Sequence, residues 1–364
     1  MKLLLFADLH LDAPFAWARP ETARLRRANR RETLTRILAL ADAERVDAVL
    51  CAGDLFEHDR VTPDTIAFLQ ASFARTDRRI VLAPGNHDWL SARSPYAVTD
   101  WSPNVHLFQE ASLTPLSLAD GLTLWGAAHR APANTDGFFA GFRPDRDGIH
   151  LALAHASERS LLGWQEAGKQ PHAPFDAAEI AEAGLSHALL GHYHLPRDAE
   201  RHTYPGNPDP LEFGEDGDRG AVLVDVQADG TVERERRRVA VSQVADVTVS
   251  IDEAHHATDV QEAVTAAIAG VGGCVRVTVE GELAPGVTLD LNELQRLGPH
   301  LDGLQVRAGR IGLGYDLEAI AAETTVRGQF VRDALGELGD DETRRKIVLT
   351  GLRALEGRAD LEVA

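Results

Sequence analysis

Five short apolar runs in the first 200 residues each stop at residues able to bind a metal ion, and this recurrence constrains the chain most. Leu3-Leu4-Leu5-Phe6-Ala7 runs into Asp8 and His10, and Val46 to Ala52 runs into Gly53-Asp54. Ile80-Val81-Leu82-Ala83 is closed by Pro84 and Gly85 and presents Asn86-His87-Asp88. Ile149 to Ala154 ends at His155, and Ala188-Leu189-Leu190 ends at Gly191-His192-Tyr193-His194. Short apolar runs closed by Gly, Pro or Asp read as buried strands. A strand that stops in a turn and presents an amide, an imidazole and a carboxylate makes a poor core and a good rim. In extended backbone, residues two apart point the same way, so Asp8 and His10 can face one centre. Strand ends of open α/β sheets converge on one crevice, which would gather Asp8, His10, Asp54, Asn86, His87, His155, His192 and His194.

Helical periodicity between the runs indicates an α/β layered domain. The first helix carries an apolar stripe at Leu34, Ile37, Leu38 and Ala41. Carried back at about 100° per residue, the stripe reaches Arg27, Arg30 and Arg31. Either this helix starts late, or its first turns overhang an open groove beside the Asp8 loop. Thr62-Pro63 caps a second helix running to about Phe73, and a hairpin around Asp229-Gly230 closes the domain near residue 240. The style then changes. Residues 245–322 read as a small α+β capping domain, and residues 323–364 as a helical tail. Its two amphipathic helices, at about 324–338 and 341–356, have apolar positions Val326, Phe330, Ala334 and Leu338, then Ile347, Val348, Leu352 and Leu355.

Thirty-seven basic against 56 acidic residues give a net charge of −19, so the whole molecule repels nucleic acid at long range. A polyanionic substrate must then be held by a local patch, by bound cations or by a partner subunit. The arginines between Arg19 and Arg36 are the local candidate. No apolar run approaches the ~18 residues of a membrane span, and Asp8 and His10 interrupt the start too early for a secretion signal. Cys51 and Cys274 lie far apart in sequence, which points to a reduced, cytoplasmic protein.

Carboxylate, amide and imidazole donors without thiolate suit manganese, iron or zinc in high coordination, not a closed structural zinc site. The candidates are too many for one ion. Two ions about 3.5 to 4 Å apart, bridged by one carboxylate and a water or hydroxide, would use them all. Such a pair favours in-line hydroxide attack on a phosphate ester.

In order, Asp8-x-His10, Gly53-Asp54, Gly85-Asn86-His87-Asp88, His155 and Gly191-His-x-His194 resemble the calcineurin-like metallophosphoesterase superfamily over residues 1–240. Gly53-Asp54-Leu55-Phe56, Pro174-Phe175, Tyr204-Pro205-Gly206-Asn207 and the small second domain resemble its SbcD and YhaO DNA-repair exonuclease group. The resemblance implies a layered β-sandwich core flanked by helices. It implies that Asp8, His10 and His194 hold one ion, Asn86, His155 and His192 the other, and that Asp54 bridges them. It implies that His87 approaches the phosphate and protonates the leaving oxygen. Glu57 stands where related phosphatases place an aspartate beside that histidine, and several nuclease relatives have a histidine instead. Glu57 is thus either the partner of His87 or a surface residue, and His58 a substrate contact or a surface turn. The resemblance further implies a DNA exonuclease, in part an endonuclease, that uses two divalent ions, manganese being favoured over iron, zinc or magnesium. Its partners would be DNA, an SMC-like ATPase subunit and a second copy of the chain, with no membrane. Arg27, Arg30 and Arg31 would contact DNA.

Two other readings stand beside this one: a phosphatase or phosphodiesterase for nucleotides or phosphoproteins, and a non-catalytic adaptor. Asp88 reads as a helix cap or loop holder. His129, His150, His172, His187 and His202 read as structural, Tyr193 and Trp89 as packing beside the site, and Cys51 as a small buried hydrophobe.

Overall fold

The computed structural model describes residues 1–133, 135–162, 171–252, 254–284, 287, 289–337 and 341–355. It comprises two units, Met1–Ala245 and Asp246–Ala364.

Alternation along the strands builds the first unit. In β1 (Lys2–Phe6) and the residue after it, Leu3, Leu5 and Ala7 enter one core, while Leu4 and Phe6 enter another. β2 (Ala48–Cys51) and β3 (Arg79–Leu82) divide in the same way. A strand buried on both faces needs no polar alternation, which is why these segments read as continuous apolar runs. With β4 (Val105–Leu107), β11 (Gly220–Val226) and β12 (Val232–Arg238), they form a six-stranded sheet in the order β12-β11-β1-β2-β3-β4. The second six-stranded sheet is built from β5 (Thr114–Ala119), β6 (Leu122–Gly126), β7 (Ile149–His155), β8 (His187–Gly191), β9 (Arg197–Asp198) and β10 (His202–Tyr204). Its order is β5-β6-β7-β8-β10-β9. Leu3, Leu5, Leu50 and Val81 of one sheet meet Leu124, Leu151, Leu153 and Leu189 of the other in a shared core, so the unit is a layered α/β sandwich.

Helix α1 (Pro20–Ala43) begins with proline in its first turn, where a missing N–H costs nothing. Its buried residues are Ala23, Arg26, Arg30, Thr33, Leu34, Ile37, Leu38 and Ala41, spaced three and four apart. The helix therefore neither starts late nor overhangs a groove with Arg30. That side chain is fully buried and donates to the carbonyls of Leu9, Asp209 and Pro210. Helix α2 (Pro63–Ala74) is capped by the Thr62 hydroxyl, which accepts from the Thr65 N–H at 3.2 Å.

Strand register sets the site. β1, β2 and β3 run parallel with Phe6 opposite Cys51 and Cys51 opposite Leu82. The loops beyond these residues therefore leave the sheet side by side. In the second sheet His155 stands opposite Gly191, which brings the ends of β7 and β8 together in the same way.

The second unit holds a three-stranded sheet, β13 (Val244–Ser250), β14 (Cys274–Leu283) and β15 (Gly303–Leu313), in that order. The helix Ala257–Ile268 buries Val260, Val264 and Ile268. Helices Leu317–Ala322, Val326–Glu337 and Asp341–Leu355 gather Ile320, Val331, Ala334, Val348 and Leu352 into a small core. Of the expected tail stripe, Ala334, Val348 and Leu352 are buried and Phe330 packs against them, whereas Val326, Ile347 and Leu355 are exposed and Val331 is an inward position the expectation lacked. Leu338 and residues 356–364 lie outside the described residues. Among the described residues, no helix is long and apolar enough to cross a membrane.

Candidate metal centre

Four of the strand-end residues are not extended. Asp8, His10, Asp54 and His192 have φ values of 54°, 47°, 52° and 109°, in the left-handed region that non-glycine residues avoid. Each such residue costs on the order of 1–3 kcal/mol and persists only where its surroundings impose it. Asp8 and His10 thus reach one centre through left-handed backbone, not through strand periodicity. Ligand atoms of Asp8, His10 and His194 lie within 4.8 Å of one another, as do those of Asp8, Asp54 and His155, and those of His10, Asp54 and His87.

Backbone closeness makes this possible. A Cβ on Gly53 (φ 93°) would stand 2.5 Å from His155 Nδ1 and 2.9 Å from Gly85 Cα, so only glycine fits. The Asp88 carboxylate, fully buried, ties two of the loops together. It accepts from the N–H of Gly85 (2.6 Å), Leu55 (2.7 Å) and Asp54 (3.1 Å) and from the Tyr96 hydroxyl (2.6 Å). Burial and the neighbouring Asp54 raise this carboxyl to about 6.

Hydrogen bonds fix which atom of each imidazole faces inward. His155 Nδ1 bonds the Ala52 carbonyl at 2.8 Å. Its Nε2 lies 3.0 Å from Asn86 Oδ1, 3.2 Å from Asp54 Oδ2 and 3.2 Å from His192 Nδ1. His194 Nδ1 bonds Glu215 at 2.6 Å. Both Asp8 oxygens accept from the His192 N–H at 3.1 Å, and Asp54 Oδ1 accepts from the His87 N–H at 2.8 Å. His10 Nδ1 bonds Glu57 at 2.8 Å, whereas its Nε2 is buried with no hydrogen-bond partner, 3.7 Å from Asp54 Oδ2. A buried imidazole nitrogen without a partner, aimed into a ring of carboxylate, amide and imidazole donors, fits a divalent cation.

Glu57 does more than the sequence suggests. One oxygen bonds His10 and the other bonds His87 Nδ1 at 2.9 Å. Burial opposes its ionisation, but the two imidazoles outweigh burial and hold it at about 2. Burial likewise works against a charged His87, yet Glu57 and Asp54 raise it to about 9. The His87 side chain is 46% exposed, while those of His10 and Asp54 are each 2% exposed. In His155 burial is again the opposing effect, overcome by Asp54, and the group is raised to about 9.

His10, Asp54, Glu57, His87, His192 and His194 floor a cavity of about 780 Å³, which Asp8, Asn86 and His155 do not line. Of the remaining expected contacts, Arg27, Arg30, Arg31 and His58 do not line it. Arg30 is buried in carbonyl contacts, Arg31 pairs with Asp64 at 2.7 Å, and Arg27 reaches the Pro14 carbonyl at 3.4 Å. His58 stacks on Trp89 with ring centroids 3.8 Å apart. The exposed Arg60 does line the cavity. Glu215 was not legible in the sequence, because it follows no strand. Besides His194 it accepts from the Asn207 side chain and the Leu211 N–H, both at 2.6 Å.

The model of the family described as calcineurin-like phosphoesterase matches residues 1–196. The chain is similar to the uncharacterized metallophosphoesterase YhaO of Bacillus subtilis, at 28% identity over 78% of this chain and 74% of that protein. It is also similar to the DNA double-strand break repair protein Mre11 of Methanopyrus kandleri, at 27% identity over 65% of this chain. Here the match spans only 56% of the archaeal protein's length. A dimetal phosphatase from Danio rerio matches with 11% identity and a TM-score of 0.40, over 66% of this chain and 96% of that structure.

Proposed function

This chain belongs to the calcineurin-like phosphoesterase family, and from that premise we propose that it is a metal-dependent DNA nuclease, acting as an exonuclease and in part as an endonuclease. The observation that carries the reading is the bridge of Glu57 between buried His10 and exposed His87 at the floor of an open cavity. Asp8, His10 and His194 would hold one divalent cation and Asn86, His155 and His192 a second, with Asp54 between them. The donor set suits manganese, with iron, zinc or magnesium as alternatives. When bound, such cations neutralise charge at the phosphoryl oxygens and acidify water.

The chain's own residues do the rest. Glu57 fixes the His87 ring through Nδ1 and leaves Nε2 to give its proton to the departing sugar oxygen. His10 Nδ1, bonded to the other Glu57 oxygen, keeps its Nε2 lone pair directed inward. Arg60 at the cavity wall would pair with a flanking phosphate. The break-repair name of the Methanopyrus kandleri relative supports DNA as substrate. A net charge of −19 leaves the chain poorly matched to a long polyanion. An SMC-like ATPase subunit, and a second copy of this chain, would extend the DNA surface.

The test is digestion of end-labelled duplex DNA with manganese, magnesium or chelator, alongside cyclic nucleotides and phosphopeptides. Manganese-dependent release of nucleotides is expected, abolished by chelation and by Asn86→Ala or His87→Ala. Hydrolysis of the small substrates with none of DNA would move the reading to a phosphatase. Equal rates for both variants and wild type would leave a non-catalytic adaptor.

A further inference from the structure

The cavity has two unlike sides. Its floor is carboxylate and imidazole, whereas the segment after the first strand end supplies Phe15 and Trp17. Trp17 is half-buried and fixed: its indole N–H donates to the Leu211 carbonyl at 3.2 Å, and its ring packs 4.7 Å from Phe213. Phe15, only 4% exposed, meets it edge-on at 6.2 Å. The guanidinium groups of buried Arg26 and Arg30 lie 5.3 and 5.5 Å from the Phe15 ring. The arginines of α1 therefore brace an aromatic wall. A rigid indole beside a phosphate-handling floor has no part in the proton transfers assigned above.

We propose that Trp17 is a stacking platform for a nucleobase, so that the site selects unpaired nucleotides at single-stranded or frayed ends. The inference rests on the nuclease reading and specifies its substrate. A base is the flat, neutral part of a nucleic acid, and it can anchor at the wall of the cavity where Glu212 and Glu215 disfavour a phosphate. Every base has a π-face, so the contact tolerates any sequence. A base inside a duplex is already stacked on its neighbours, which makes the unpaired one the better ligand.

The test compares single-stranded oligonucleotides that carry a normal or an abasic terminal residue. In wild type the base should raise kcat/KM by about 5- to 150-fold, the range typical of aromatic stacking. In Trp17→Ala that ratio should fall to near one, and Trp17→Phe should keep most of it. Trp17→Leu, which retains apolar bulk, replaces alanine if the latter lowers Tm. A readout independent of turnover is indole fluorescence of the chelator-treated protein, quenched by the normal oligonucleotide in wild type and not in Trp17→Phe. DNA cleavage with the same base-to-abasic ratio in wild type and Trp17→Ala overturns the platform alone. No cleavage of any DNA with any metal overturns the nuclease reading and the platform together.

Discussion

Replacing Glu57 with alanine removes its bonds to His10 and His87 at once, and the two losses fall on different quantities. Hydrogen bonds to charged groups contribute about 1.5–3 kcal/mol. The bond to His10 reaches a side chain 2% exposed and keeps that value. The bond to His87 reaches a ring 46% exposed, where solvent screening brings it to about 1 kcal/mol. On the His10 side the loss falls on cation affinity: 1.5–3 kcal/mol is roughly 10- to 150-fold, in line with the 10- to 100-fold effects of ligand-orienting partners. On the His87 side it falls on turnover: about 1 kcal/mol is roughly fivefold, a part of the 100- to 10,000-fold that a positioned acid contributes. At saturating manganese, Glu57→Ala should lose about fivefold in kcat and His87→Ala about 100- to 10,000-fold, and the double variant should be no slower than His87→Ala. Calorimetric titration of manganese into the metal-free proteins should show the affinity loss in Glu57→Ala but not in His87→Ala. Manganese affinity and kcat both within twofold of wild type in Glu57→Ala would refute the bridge.

Two further substitutions test the scaffold. Arg30→Met should strand the buried carbonyls of Leu9, Asp209 and Pro210 and cost about 3–5 kcal/mol by denaturant unfolding, and a loss below 1 kcal/mol would contradict the bracing role. His187, 2% exposed, is lowered by burial and nearby Arg234 to about 3, so on acidification the unfolded chain takes up its proton first. Its contribution is complete above about pH 6.5 and is lost by about 1.4 kcal/mol per unit as the pH falls toward 3. His187→Gln should therefore flatten the acid limb of stability in that window, and a limb parallel to wild type would refute the assignment.

That the strand-end residues gather in one place could be read from the sequence, because a strand buried on both faces leaves its polar residues nowhere to go but the rim. Phe6, Cys51 and Leu82 share a register, so the loops that leave them converge. The arginines misled for a physical reason. The α1 stripe does extend back through Arg26 and Arg30, but periodicity says only which face is inward and not whether carbonyls wait there. Those of Asp209 and Pro210 arrive from about 180 residues away in sequence. Glu215 escaped for the same reason, since its partner His194 comes from another loop. The backbone at Asp8 and His10 escaped because a left-handed conformation at a non-glycine residue has no local signature.

That backbone bears on how this fold would respond to selection for heat tolerance. Glycine at position 8, 10 or 54 would relieve a backbone that aspartate and histidine occupy at a cost, and would delete a donor in the same stroke. A screen that rewards melting temperature alone would drift toward such glycines and recover hardier molecules that have gone catalytically silent. Only a screen that counts turnover keeps the spring wound.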